Sequence, residues 1–530
     1  CQQLTIVTLP ANITIIPESS FNKCEKLVSI TIPEKVTTVE KSSFQNCQSL
    51  ISVEFNEKVN SIESYAFSYC SSLESLIIPE SVTVISEGCF CFCTELTSVE
   101  LPSKITEIQS NAFEKDGKLV NLTLPEMIQL IGESAFSDCV NLQSIIIYEN
   151  CVKIEKKAFY HCKGLTSVFI HEGLREICDS SFEKCYSLHN LTLPESLKGF
   201  SSSVFSSCYS LPMIEMSDNI EYVNSSAFEN CHSLQQLKLS NKLSSIGEKS
   251  FSNCYKLVSI TIPSGVTNIG DYAFSDLHSL LSISLPSTLV NIGRFAFSSN
   301  YLIESIEIPE KVETISDEAF SNCHSLKSIV IKNISHFGKK VFASCHLLSS
   351  CVFLGTDLPS FEDEIFVDSK IHSIQVTTNY KHKNFCSYPI EYLDEKVTSQ
   401  ASEEPSVSLD FSTEDMIVSS IDDVETTNDF LPSLVTSSTF VNDIEKVDDD
   451  DENFFFDKKK NKFTTKGLIF IVCVSVGILV FIALLLFLII FAIRRKAKER
   501  VGPSVSFGGP ENTDSKADSQ SCLLKHDSSF

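Results

Sequence analysis

Cysteine recurs on a fixed period in this chain, and thiols so arranged raise three chemistries: metal ligation, disulfide formation, or burial as small apolar groups. Of the 21 cysteines, twelve lie three residues after a regularly recurring phenylalanine, among them Cys24, Cys47, Cys70, Cys93, Cys139 and Cys323. Those phenylalanines run from Phe21 to Phe320 in unbroken steps of 23, and Phe342 follows after 22. In-register side chains on successive turns of such a repeat lie about 4.8 Å apart with parallel Cβ vectors, whereas a disulfide wants Cβ atoms about 3.8 Å apart and turned together. Zinc needs four convergent ligands, and one column points every thiol the same way. The column is therefore expected to hold buried free thiols. The triplet Cys89, Cys91 and Cys93 has no place in this account, and Cys351 and Cys386 form a candidate pair.

The next position along carries a second chemistry. Early turns vary there, with Glu25, Gln48, Ser71 and Thr94, but eight consecutive turns then read Tyr186, Tyr209, His232, Tyr255, His278, Tyr301, His324 and His346. One reading is a spine of stacked rings that stiffens a turn. The other is an amphipathic stripe for an extracellular protein or glycan. With four histidines of ordinary pKa about 6.5, a binding stripe should respond to acidification between about pH 7 and 5.5. No nucleophile elbow, P-loop, HExxH or dinucleotide fingerprint occurs, so no enzymatic role, catalytic residue, metal or cofactor is expected.

One repeat, Leu257 to Ser279, shows what positions these columns. Leu257, Ile260 and Ile262 have the spacing of a short strand with alternate side chains inward, and Pro263 ends it. Val266 and Ile269 return to the core, Gly270 is read as permitting a tight turn, and Ala273-Phe274 plug the far side. Ile30, Val53, Val99, Leu122, Ile145, Val168, Ile283, Ile306 and Ile329 take the inner strand position elsewhere. The outward column then holds Thr31, Glu54, Ile77, Glu100, Thr123, Ile146, Phe169, Thr192 and Glu215. Ile146 and Phe169 should stand exposed on adjacent strands, a second candidate partner surface, with the sequons at Asn121 and Asn190 on the same face. A period this short and regular marks a solenoid whose units complete one another's core. The fold class is a repeat solenoid, mainly β with short irregular or helical convex segments; fifteen turns would extend about 70 Å.

The pattern L-x-x-I-x-I-P-x-x-V-x-x-I-x-x-x-A-F-x-x-C resembles the leucine-rich repeat of BspA-like surface proteins, known from host-associated bacteria and parasitic protozoa. The resemblance covers residues 1 to about 353. It implies a curved solenoid with a parallel sheet on its concave side, displayed on a cell surface and engaged in adhesion to host cells or matrix.

Beyond the repeats, residues 354–394 are expected to cap the open sheet, and 395–466 form an acidic Ser/Thr-rich stalk with a basic segment at its end. Gly467 to Ile493 is 27 residues without a charge, enough to cross a bilayer as one helix, leaving 494–530 as a short cytoplasmic tail. Basic residues nearly tie across the span, but all five N-x-S/T sites, Asn12, Asn121, Asn190, Asn224 and Asn333, precede it. Residues 1–466 are therefore placed outside, as a single-pass type I protein of the plasma membrane. Cys1 falls in phase with the thiol column, so the chain is expected to begin inside a repeat whose phenylalanine lies upstream. The Leu523-Leu524 pair sits off the usual acidic dileucine spacing, and the tail reads as plain disorder.

The formal charge of -26, from 68 acidic and 42 basic residues, argues against a nucleic-acid partner. An adhesin binding host cells, matrix proteins or glycans is the leading reading. A receptor signalling through a partner and a coat antigen without a specific ligand stay open beside it, and the ligand and oligomeric state are not legible.

Overall fold

The structure, a computed structural model, describes residues 2–362, 364–393, 456–457 and 462–463. Two units divide the chain, residues 1–409 and 410–530. The first is a solenoid of three-sided coils, and the coil from Leu257 shows how the sequence builds each side.

On the first side, Ser259–Thr261 pairs in parallel with Ser282–Ser284, with Ile260 turned inward and its two neighbours exposed. On the second, Asn268–Ile269 pairs with Ser245–Ile246 and Asn291–Ile292. The third side is neither strand nor helix. Tyr272 and Asp276 adopt left-handed φ angles of 57° and 59°. The N–H groups of Tyr272, Phe274 and Asp276 donate to the carbonyls of Arg294, Ala296 and Ser298 one coil on, at 2.8, 2.8 and 2.9 Å. The intervening Ala273 and Ser275 bond within their own coil instead. Buried backbone groups must be satisfied, and this alternation does so without a strand.

No helix occurs among the described residues, so of the irregular or helical convex segments expected, the helical form is corrected and the irregular one is found. A helix would close each N–H onto a carbonyl four residues back and leave the neighbouring coil unbonded. Left-handed φ costs a non-glycine residue roughly 1–2 kcal/mol, least for Asn and Asp, which fill the second such site as Asn46, Asp138, Asn230, Asn253, Asp276 and Asn322. Gly270 is needed for a different reason from the tight turn expected. Its φ is ordinary, but a Cβ there would come within 2.7 Å of the Glu248 nitrogen on the coil before.

The core is continuous along the axis. Sixteen phenylalanine rings from Phe21 to Phe366 stack in one column, at spacings from 5.1 to 5.7 Å. Leu, Ile, Val and Cys columns pack around it. The second side forms an unbroken eight-stranded sheet from Gly199–Phe200 to Ser360–Phe361. The first side is interrupted, with Gln236–Lys238 unpaired to Ser259–Thr261, Ser282–Ser284 to Ser305–Ile308, Ser52–Glu54 to Ser75–Ile77, and Asn190–Thr192 to Met213–Glu215. At the latter, Pro212 stands where His189 donates its N–H to Thr166 O one coil earlier, and proline has none to give.

Residues 354–393 hold one further coil, with Phe366 stacked on Phe342 at 5.5 Å and Ile374–Val376 joined to Ser350–Phe353. An antiparallel pair, Asn384–Phe385 with Tyr388–Tyr392, follows. In the second unit, Phe456–Asp457 pairs antiparallel with Lys462–Phe463. Among the described residues no helix is long and apolar enough to cross a membrane. The expected span, the tail and the rest of the stalk lie outside the described residues.

Candidate binding faces of the solenoid

The thiol column comes first because its chemistry is now defined. All eighteen described cysteines are free. From Cys47 on, each thiol in the column donates to the carbonyl of the phenylalanine one coil earlier: Cys47 to Phe21, Cys139 to Phe113 and Cys345 to Phe320 at 3.2 Å, Cys208 to Phe182 at 3.4 Å. Burial pushes Cys47 and Cys231 up to about 12 and Cys139 well above its ordinary value, so these groups stay protonated donors rather than nucleophiles or ligands. Cys89 fills the slot that Ala66 and Ala112 hold on neighbouring coils, and Cys91 is likewise buried, its thiol raised to about 12. Cys351 and Cys386 are both free and buried in this structure.

Two coils without the thiol show what the position demands. Asn300 accepts from the Leu277 N–H at 3.0 Å, and its amide nitrogen donates to Phe274 and Phe297 carbonyls at 3.0 and 2.9 Å. Asp116 accepts from the Cys93 N–H at 2.8 Å in the same way, but its Oδ2 has no partner. Burial holds this carboxyl well above the usual range, which favours its neutral form at the position where Asn300 carries a donor nitrogen.

The Tyr/His column is a single ladder. Tyr186 stacks on Tyr209 at 4.8 Å, Tyr209 on His232 at 4.6 Å, His232 on Tyr255 and Tyr255 on His278 at 4.7 Å. His278, Tyr301, His324 and His346 continue at 4.9, 5.0 and 5.2 Å. Interplanar angles stay between 3° and 19°. Because each interior ring gives both faces to its neighbours, only hydroxyl and imidazole edges remain for solvent. Tyr209, His278, His324 and His346 are exposed, the other four half-buried. Burial lowers His232 to about 4, and burial with the neighbouring His346 lowers His324. With a value near 4, His232 is not among the groups that would carry the expected response of the stripe to acidification between about pH 7 and 5.5.

A cluster that sequence reading missed sits where the ladder starts. His161 meets Tyr186 edge-on at 5.9 Å and places Nδ1 2.6 Å from Asp138 Oδ1, while Lys184 donates to the Tyr160 hydroxyl at 2.9 Å. These residues occupy turn-side positions that the strand pattern does not mark.

Ile146 and Phe169 lie directly opposite one another on paired strands, each 39% exposed. Asn121 bridges to Ser144 and Asn190 pairs with Ser167, so the two sequons stand on either side of the apolar pair. Asn12, Asn224 and Asn333 are exposed as well.

Stacked parallel coils of this length, with the L-x-x-I-x-I side exposed, define a leucine-rich-repeat solenoid. The chain belongs to the BspA type leucine rich repeat family, whose model matches residues 1–119, 106–235, 152–281, 221–349 and 267–388. Among solved structures, it is similar to a leucine-rich repeat protein from Bacteroides ovatus, with 22% identity, 72% of this chain and 88% of that one covered, and a TM-score of 0.54. It also resembles a leucine rich cell surface protein from Faecalibacterium prausnitzii at 25% identity, covering 62% and 86%, with a TM-score of 0.37. No curated protein matches the chain.

Proposed function

We propose that this chain is a cell-surface adhesin, anchored through Gly467 to Ile493 with its repeats outside, that holds an extracellular protein or glycan along the edges of the Tyr186–His346 ladder. The supporting observation is the ladder itself: eight rings at near-constant spacing, presenting a row of hydroxyl and imidazole edges on a scaffold whose turn side is bonded coil to coil. Many weak contacts along such a row add by avidity when copies are displayed together. Catalysis has no part in this reading. The test displays the full chain on cells and measures binding to immobilised matrix proteins and glycans. Replacing Tyr255, His278 and Tyr301 together by Ser should lower binding per folded molecule more than tenfold. Unchanged binding sinks the ladder as the site. Protease added to intact cells should cut the repeats and spare residues 494–530; the reverse pattern sinks the topology.

A further inference from the structure

The coils are alike except where the chain departs from its own repeat, and the coil at Ser52 departs twice. Its neighbours end the first-side strand with Ile32-Pro33 and Ile78-Pro79, whereas this coil has Phe55-Asn56. Ile32 and Ile78 are buried, but Phe55 is only half-buried, its ring edge-on to Phe67 at 5.6 Å. Asn56 ties that corner to the preceding coil, its amide donating to Pro33 and Val36 carbonyls at 2.6 and 3.0 Å. Here the sheet is open, with Ser52–Glu54 not paired to Ser75–Ile77.

The opening is a groove of about 770 Å³, floored by Val53, Phe55, Ile78 and Leu101. Ile77, which is 67% exposed, stands in it. Four exposed carboxylates, Glu54, Glu57, Glu80 and Glu100, line it with these. Among the described residues none has a cationic partner: Glu54 accepts from the Thr31 hydroxyl at 3.0 Å, Glu80 from the Ser103 hydroxyl at 2.9 Å, and the adjacent Lys58 pairs with Glu34 instead. The outward row across three coils reads Glu54, Ile77, Glu100, an apolar side chain between two acids. The groove at the Asn190–Thr192 break, of about 660 Å³, differs in that Lys238 already pairs with Glu215 there at 2.7 Å.

We infer that the Phe55 groove docks a cationic amphipathic peptide segment of a partner protein, an apolar side chain against Ile77 and Phe55 and Lys or Arg side chains on the flanking glutamates. Unpaired like charges around an apolar floor repel one another, and a cationic segment relieves that repulsion while covering the floor. In a chain of net charge -26, an anionic partner at this rim is disfavoured. This surface lies on different coils from the ring ladder, and neither reading depends on the other.

The test uses the full chain and, as probe, a fluorescent peptide of alternating lysine and leucine about ten residues long, with its glutamate–leucine counterpart as control. The lysine peptide should bind, and binding should fall steeply with salt. Glu54→Gln with Glu100→Gln should weaken it at least tenfold, while Glu126→Gln with Glu149→Gln, an equal charge change at exposed acids elsewhere, should leave it near wild type. Phe55→Ile, which restores the buried residue of the neighbouring coils, should weaken binding at unchanged charge and without loss of thermal stability. Equal loss in both glutamate pairs would reduce the effect to net charge and overturn the site. So would wild-type affinity in Phe55→Ile, or salt-sensitive dimers abolished by the groove variants, which would make the occupant a second copy.

Discussion

Two stacks of rings run along this solenoid a few residues apart in sequence, and their likeness is instructive. The inner one, Phe21 to Phe366, keeps spacings of 5.1 to 5.7 Å; the outer one, Tyr186 to His346, keeps 4.6 to 5.2 Å. Near-identical geometry has two causes. From Phe44 onward the phenylalanines are buried and occur on every coil, while the outer position tolerates Glu25, Gln48, Ser71 and Thr94 before the rings begin. Stacking is thus what any planar side chain does when the repeat places it once per coil. It does not by itself mark a ligand site, and what sets the outer stack apart is its row of polar edges.

That contrast breaks most easily through the inner stack. Phe228→Ala should cost about 3–5 kcal/mol in chemical denaturation, the usual range for a buried aromatic truncated to a cavity. A smaller loss than in the outer-ring variant would erase the distinction. The Tyr255, His278 and Tyr301 to Ser variant removes four stacked contacts, each worth about 0.5–1.5 kcal/mol and at the lower end when exposed, so about 2–3 kcal/mol is expected with the fold retained. A denaturation curve settles it, and unfolding of the chain would make the outer stack as structural as the inner.

Asp116 sharpens the comparison within the core. A carboxyl whose folded pKa is raised binds its proton more tightly folded than unfolded, so its effect on stability is absent below the unfolded value of about 4 and becomes a penalty as pH rises above it. Asp116→Asn, which copies the side chain of the Asn300 coil, should therefore stabilise by about 1–3 kcal/mol near pH 7 and by nothing near pH 4. A constant difference across pH would mean the wild-type carboxyl has the same pKa folded and unfolded. His232 gives the smallest effect and the opposite slope. Its folded value of about 4 lies below the unfolded 6.5, so stability is intact above pH 6.5 and declines as pH falls towards 4. Allowing for its partial exposure, the loss by pH 5.5 is on the order of 1 kcal/mol. His232→Phe should flatten that slope in thermal melts, and an unchanged slope would assign the acid sensitivity to another group.

The recurring phenylalanine made the solenoid legible, because an unbroken period admits few architectures. Inward and outward positions on the strand followed from alternation, which is why Ile146 and Phe169 emerge as an exposed opposed pair. The third side was not legible. Left-handed backbone is usually announced by glycine, yet here Lys23, Tyr69, Phe92 and Lys184 adopt it, held by bonds to the next coil that no local pattern records. The thiols were read as fillers, and their size and burial were apparent. Their donation to phenylalanine carbonyls depends on a partner 26 residues away. Phe55-Asn56 did carry a signal, a departure from the Ile-Pro of both neighbouring coils, and the groove it opens shows that in a repetitive chain the exceptions are informative positions.

The turn side has one more property, which follows from its bond directions. On the paired-strand sides, N–H groups point both ways along the axis and their peptide moments largely cancel. On the turn side, coil after coil, the three N–H groups that leave the coil all point towards the later coil, from Ser19, Phe21 and Lys23 onward to Glu318, Phe320 and Asn322. Each peptide carries a moment of about 3.5 D, so these add head to tail into one long dipole. Its sense is the reverse of an α-helix, with the positive end towards the later coils and the negative end towards the earlier ones. A chain with no helix in its described solenoid thus acquires a helix-like axial field, which favours anions near the coil of Phe366 and cations near the coil of Phe21.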